Sequence, residues 1–116
     1  MPSKKDRALH DIRDSIVLAH AFTERYDFAR FCADRETFHA VTRMLEIISE
    51  ASRHVDVAVR DRHSELPWRA IRDAGNFYRH DYDNVAESYV WTSVIDRLPS
   101  WLAVVVEEID RLDERS

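Results

Sequence analysis

The chain has one glycine, three prolines and one cysteine in 116 residues. Each shortage excludes something. With a single glycine there is no glycine-rich loop to cradle phosphates, so nucleotide binding of the P-loop or Rossmann kind is ruled out. With so little turn punctuation, and with 45% apolar and 34% charged residues, the composition is one of helix-formers and places the chain in the all-α class. The lone Cys32 allows no internal disulfide. No signal-like stretch follows the first five residues and no apolar run is long enough to span a bilayer, so a cytoplasmic location, away from membranes, is expected. A formal net charge of −5 speaks against a general nucleic-acid binder that relies on counterion release, but it leaves room for a local basic patch.

What is present is helical periodicity. Leu9, Ile12, Ile16, Ala19 and Phe22 share one helical face and predict a first helix over residues 6–27. Residues 27–34 break the period and read as a connection tucked onto the core, after which Asp34 or Thr37 caps a second helix. Phe38, Val41, Leu45, Ile48, Ala51, Val55 and Val59 carry that helix to about residue 60, followed by a polar loop at 61–65. Pro67 suits the first position of a third helix, and residues 81–84 close it. Val90, Trp91, Val94, Ile95 and Leu98 mark a fourth helix, which Pro99 stops or follows with a fifth through Leu102, Val105, Val106, Ile109 and Leu112. Residues 103–106 are β-prone alone, but their helical flanks outweigh them. No repeat, linker or low-complexity tract divides residues 1–116, so the expectation is a single domain, an up-and-down bundle of four to five helices. Trp91, Trp101 and Phe28 are expected in the core or at a dimer contact, because they are scattered over separate apolar stripes.

Residues 66–82 concentrate the unusual features: the glycine, Arg69, Arg72, Arg79, and His80 one residue away from Tyr82. On a helix, Trp68, Ile71, Gly75, Tyr78 and Tyr82 form one stripe, and Arg69, Arg72, Asn76 and His80 an adjoining polar one. Glycine inside a helix costs roughly 1 kcal/mol relative to alanine, so its place on the packing stripe implies that something approaches closely there.

Histidine exchanges a proton near neutral pH, arginine grips a phosphate through two parallel bonds, and asparagine orients either. Asn76, Arg79 and His80 as catalytic groups, with Arg72 and Arg69 on phosphate, would suit RNA cleavage without a metal or other cofactor. An ordinary solvated helix face with a capping histidine explains the same residues equally well. The six histidines include no pair at the three- or four-residue spacing of two ligands on one helical face, so no metal site is expected. Glu50 and His54 read as a surface pair, and Ser49 and Ser52 lack the setting of a nucleophile.

Several segments resemble the HepT-like HEPN family (higher eukaryotes and prokaryotes nucleotide-binding domains): Leu9, Asp11, Ile12 and Ile16; residues 40–51; Leu66-Pro67-Trp68-Arg69 with Ile71; Asn76; His80 and Tyr82; Val90-Trp91 and Leu98-Pro99. The similarity covers nearly the whole length. It departs at Ser49, where the signature usually has glycine, and at Gly75, where the motif has arginine. The resemblance implies a helical bundle that forms a homodimer, bringing two third helices around a shared cleft. It implies a metal-free endoribonuclease toxin that acts on RNA and is encoded with a minimal nucleotidyltransferase antitoxin. His80 would be the base, Asn76 the polar motif residue, and Tyr82 the target of AMPylation by the partner.

Gly75 leaves three accounts open. Arg79, one turn on, folds back over the bare glycine and supplies the missing charge. Alternatively, catalysis has been lost and the chain is an inactive HEPN binding subunit that docks onto the nucleotidyltransferase. In the third account, glycine arose under selection against a toxic product. A purely structural dimer leaves the Asn76 to Tyr82 pattern unexplained.

Overall fold

A computed structural model describes residues 3–80 and 86–115, without the side chains of 77–80 and 115. In chain order the elements are α1 (Lys4–Thr23), α2 (Phe28–Ala33), α3 (Arg35–Ser52), α4 (Val57–Arg62), α5 (Trp68–His80), α6 (Glu87–Thr92), a π-helical turn (Ser93–Arg97) and α7 (Leu98–Arg115). The all-α bundle is as expected. No strand occurs among the described residues, and none of their helices is long and apolar enough to cross a membrane.

Four helix starts are set by short polar side chains. Ser3 and Asp6 form a reciprocal capping box at α1, while Asp27, Asp34 and Asp56 accept from the backbone N–H groups of Arg30, Thr37 and Ala58 at α2, α3 and α4. Asp34 is thus the cap of α3, and Thr37 supplies its donor. The Tyr26 hydroxyl also donates to Asp34 and, with Thr37, holds the Asp34 carboxyl below its usual range.

Several boundaries differ from the periodic reading. Helix α1 stops at Thr23, whose hydroxyl donates to the Ala19 carbonyl at 2.9 Å, so residues 24–27 are not helical. The expected connection at 27–34 contains α2, a helix too short for periodicity to reveal but capped by Asp27. The expected second helix is divided into α3 and α4 around residues 53–56. All seven apolar residues of that stripe are nevertheless buried, because the break keeps them on the same side. Pro67 sits one residue before α5, where its carbonyl accepts from Ile71 N–H at 2.9 Å. Pro99 is the second residue of α7, so of the two expectations it is the start of a further helix that holds. In the π turn before it, Leu98 N–H reaches back to the Ser93 carbonyl, and this wider turn accommodates a ring that would otherwise strike the carbonyl four residues earlier. Residues 103–106 are helical within α7.

The core forms where α1 packs on α3 and α7, and α3 on α5. Leu9, Ile12, Ile16 and Ala19 from α1 meet Val41, Leu45 and Ile48 from α3, with Val105 and Ile109 from α7. Phe22, Ile95 and Val106, assigned to apolar stripes, are instead exposed at the stripe edges. Trp91 joins the core against Phe31, with ring centroids 5.2 Å apart, and Phe28 lies across it on the outside at 6.3 Å. Trp101 is half-buried against the core.

Candidate functional site

Helix α5 lies on α3 along its small and apolar face. Ile71 and Gly75 are buried, and the Ser49 hydroxyl on α3 donates to the backbone carbonyl of Arg72 at 2.7 Å. A side chain as short as serine reaches the backbone of the facing helix only where the two helices are close. Gly75, one turn on from Arg72, therefore lies in a tight seam, which is the close approach its presence implied. At the start of α5, Trp68 Nε1 donates to the His63 carbonyl at 2.9 Å, pinning the helix to the α4–α5 connection.

The opposite face carries the charge. Arg69 and Asn76 are exposed and Arg72 is half-buried, so over residues 68–76 both stripes fall as expected. Among the described residues, Arg69 and Arg72 contact the Asp73 carboxylate through one nitrogen each, at 3.9 and 3.4 Å. Their guanidinium groups therefore retain donors for another anion. The backbone of α5 continues through Arg79 and His80. The side chains of Tyr78, Arg79 and His80, and all of Tyr82, lie outside the described residues.

A second ionic cluster had no counterpart in the sequence reading. Glu108 on α7 is 1% exposed, yet it accepts from Arg62 Nε at 3.1 Å and from Arg62 Nη2, lies 2.7 Å from His63 Nε2, and is 3.4 Å from Arg111 Nε. The Arg62 hydrogen bonds, helped by the His63 contact and the charges of Arg62 and Arg111, outweigh burial and lower its carboxyl to about 2. Arg62 is correspondingly raised above its ordinary value. One signal was available: Leu98, Trp101, Val105, Glu108 and Leu112 share a helical face on which Glu108 is the only charge. Arg111 is one turn along the same helix, but Arg62 and His63 lie some 45 residues away in sequence, beyond the reach of spacing. Both ring nitrogens of His63 face carboxylates, Glu108 on one side and Glu65 at 3.6 Å on the other.

A cavity of about 240 Å³ between α3, α5 and the π turn is bordered by Ile48, Ala74, Tyr89 and Trp101. Its polar groups are few, and two of them, Arg97 and Ser93, bond each other at 2.9 Å. His54 and Glu50 are 4.0 Å apart on the surface, the simple pair their spacing implied.

The family model for HepT-like ribonucleases matches residues 12–109, nearly the whole described bundle. The chain belongs to the HepT-like ribonuclease family. An inferred ribonuclease HepT of Thermococcus cleftensis is 36% identical over 92 residues, covering 79% of this chain and 84% of the relative. An inferred RNase of Methanocaldococcus jannaschii is 28% identical over 120 residues, 100% of this chain and 99% of that protein. An inferred RNase of Caldanaerobacter subterraneus is 32% identical over 82 residues, 71% and 72% of the two chains. No solved structure gave a significant match. Within this HepT-like chain, the position expected to hold the motif arginine is the buried Gly75.

Proposed function

We propose that this protein is a metal-independent endoribonuclease of the HEPN type, which works as a homodimer and pairs with a minimal nucleotidyltransferase antitoxin. The observation that carries the reading is the division of α5: its small face is committed to α3 through Ser49 and Gly75, and its cationic face is turned outward on the way to His80. Family membership and the relatives' names support RNA as the substrate. In the proposed reaction His80 removes the proton of a ribose 2′-hydroxyl, and the resulting oxyanion attacks the adjacent phosphorus. The bond to the 5′-oxygen breaks, that oxygen takes a proton from water, and a 2′,3′-cyclic phosphate remains. Arg79 holds the phosphoryl oxygens, Asn76 orients the base or the phosphate, and Arg72 and Arg69 bind phosphate further along the strand. Pairing two copies would double a small cationic surface into a cleft. Adenylylation of Tyr82 would place bulk and negative charge beside His80 and repel the RNA. Histidine spacing, with no pair on one helical face, supports chemistry without a metal.

The test is cleavage of RNA by the purified chain with and without chelator, and a search for 2′,3′-cyclic phosphate ends. Unchanged activity in chelator is expected, and loss of activity there overturns the mechanism. The missing arginine at position 75 favours a second reading, an inactive subunit that binds the nucleotidyltransferase. A chain that binds this partner tightly but leaves RNA intact decides for it.

A further inference from the structure

Besides Arg69 and Arg72, two arginines that the reaction above does not use turn toward the same open groove. Arg53 comes from the end of α3 and Arg60 from α4, and together with Arg69, Arg72 and Trp68 they border a space of about 440 Å³ in which Asp61 is the acidic wall residue. Three segments of a chain with net charge −5 thus converge to present four guanidinium groups. Their own carboxylates hold them loosely: Glu50 is 3.5 Å from Arg53, and Asp73 is 3.4 Å from Arg72 and 3.9 Å from Arg69. A phosphate oxygen is the acceptor that a guanidinium fork fits.

We propose that Arg53, Arg60, Arg69 and Arg72 form a distal track that grips backbone phosphates of single-stranded RNA several nucleotides away from the bond that is cut. This rests on the ribonuclease reading and adds to it a contact that selects long over short substrates. Continuity argues for a chain of phosphates and against a lone anion, because Arg69, Arg72, Asn76 and position 80 follow one face of α5. At about 1.5 Å per residue, Arg69 and His80 are roughly 16 Å apart along the axis. That is the length of about five stacked nucleotides at ~3.4 Å each. A strand anchored at Arg53 and Arg60 reaches the scissile position without leaving the charged face.

The test uses the full chain and the Arg53→Gln/Arg60→Gln double variant, with Arg13→Gln/Arg43→Gln as a charge-matched control on other surfaces. The binding probe is an RNA of about twelve nucleotides, 2′-O-methylated throughout so that it cannot be cut. The double variant should bind it at least tenfold more weakly, with the slope of log affinity against log salt reduced by about 1.4 for two lost phosphate contacts. On cleavable RNA of the same length KM should rise at least tenfold while a dinucleotide is cut as before, and the control should match the wild type. Equal affinity and salt slope in the double variant overturn the track. So does competition by ATP or by an acidic peptide at the same concentration as the RNA, since either makes the groove a site for a different ligand. If the double variant does not fold, arginine modification of the wild type decides. Bound RNA should protect Arg53 and Arg60 from phenylglyoxal, and unprotected residues overturn the proposal. Tight binding without cleavage by the wild type removes the ribonuclease reading and leaves the track in place. Cleavage with an indistinguishable double variant does the reverse.

Discussion

Arg60 and Arg62 are two residues apart on α4 and have opposite surroundings. Arg62 is bonded through two nitrogens to a carboxylate that is almost fully buried. Arg60 borders an open groove. His63, likewise, is enclosed by Glu65 and Glu108. Residue type therefore does not distinguish structural charge from working charge. A buried ion pair is consumed in holding two segments together, and breaking it leaves an uncompensated charge. A guanidinium facing solvent with only long contacts to carboxylates adds little to stability and remains available to a ligand.

The contrast predicts a separation of activity from stability. His80→Ala should lose at least about two orders of magnitude in RNA cleavage, and Arg79→Ala a comparable factor, with the unfolding midpoint unchanged in both. Measured as single-turnover rates beside thermal melts, a fully active Arg79→Ala would show that charge has not moved from position 75 to 79. A lowered melting temperature would place these residues with the structural group.

Glu108→Gln should show the converse. It removes the charge that Arg62, His63 and Arg111 share, and because Arg62 is partly in solvent the cost should be about 2–3 kcal/mol, below that of a wholly buried pair. The cleavage rate per folded molecule should stay within a small factor of wild type. Urea titration of the variant checks the first expectation and active-site titration the second. A variant as stable as wild type would mean that the cluster holds nothing in place.

These two regions were not equally legible in the sequence. The face of α5 could be read because its residues are local: Ile71 and Gly75 against Arg69 and Asn76 follow from helical spacing alone. So could the apolar stripe from Phe38 to Val59, whose members are all buried although the helix beneath them is interrupted. Helix α2, the end of α1 at Thr23 and the π turn before Pro99 were not read, since each depends on one or two hydrogen bonds and not on a repeating pattern. The Glu108 cluster and the meeting of Arg53 with Arg69 depend on tertiary packing between α3, α4, α5 and α7, which no spacing encodes.

A smaller effect is expected from pH. The Glu108 carboxyl is lowered in the folded protein to about 2 from an ordinary value of 4.5. The folded state thus favours the charged form, and its contribution is complete above pH 4.5 and is lost as pH falls toward 2. Allowing for solvent around Arg62, the loss should be roughly 1–2 kcal/mol. Glu108→Gln should lack this component, so the stability curves of variant and wild type should converge in acid. Parallel curves between pH 5 and 2 would assign acid sensitivity to other carboxylates.

The smallest expected effect tests the seam that turns the cationic face of α5 outward. Resemblance to the family places glycine at 49 and arginine at 75, whereas this chain has serine and glycine there. The Ser49 hydroxyl on α3 reaches the Arg72 carbonyl, one turn before the buried Gly75, at 2.7 Å. Gly75→Ala gains about 1 kcal/mol of helix propensity, but a methyl group driven into a tight contact costs about 1–3 kcal/mol. A net destabilisation of about 1 kcal/mol follows. Ser49→Gly should relieve it, since it removes the group on the facing side. In a double-mutant cycle by urea denaturation the two changes should couple by at least about 0.5 kcal/mol in the compensating direction. If Gly75→Ala stabilises the protein and shows no coupling to Ser49, the seam has room to spare. An arginine at position 75 could then be tolerated without rearranging α3, and the case for Arg79 as its necessary replacement would rest on the cleavage assay alone.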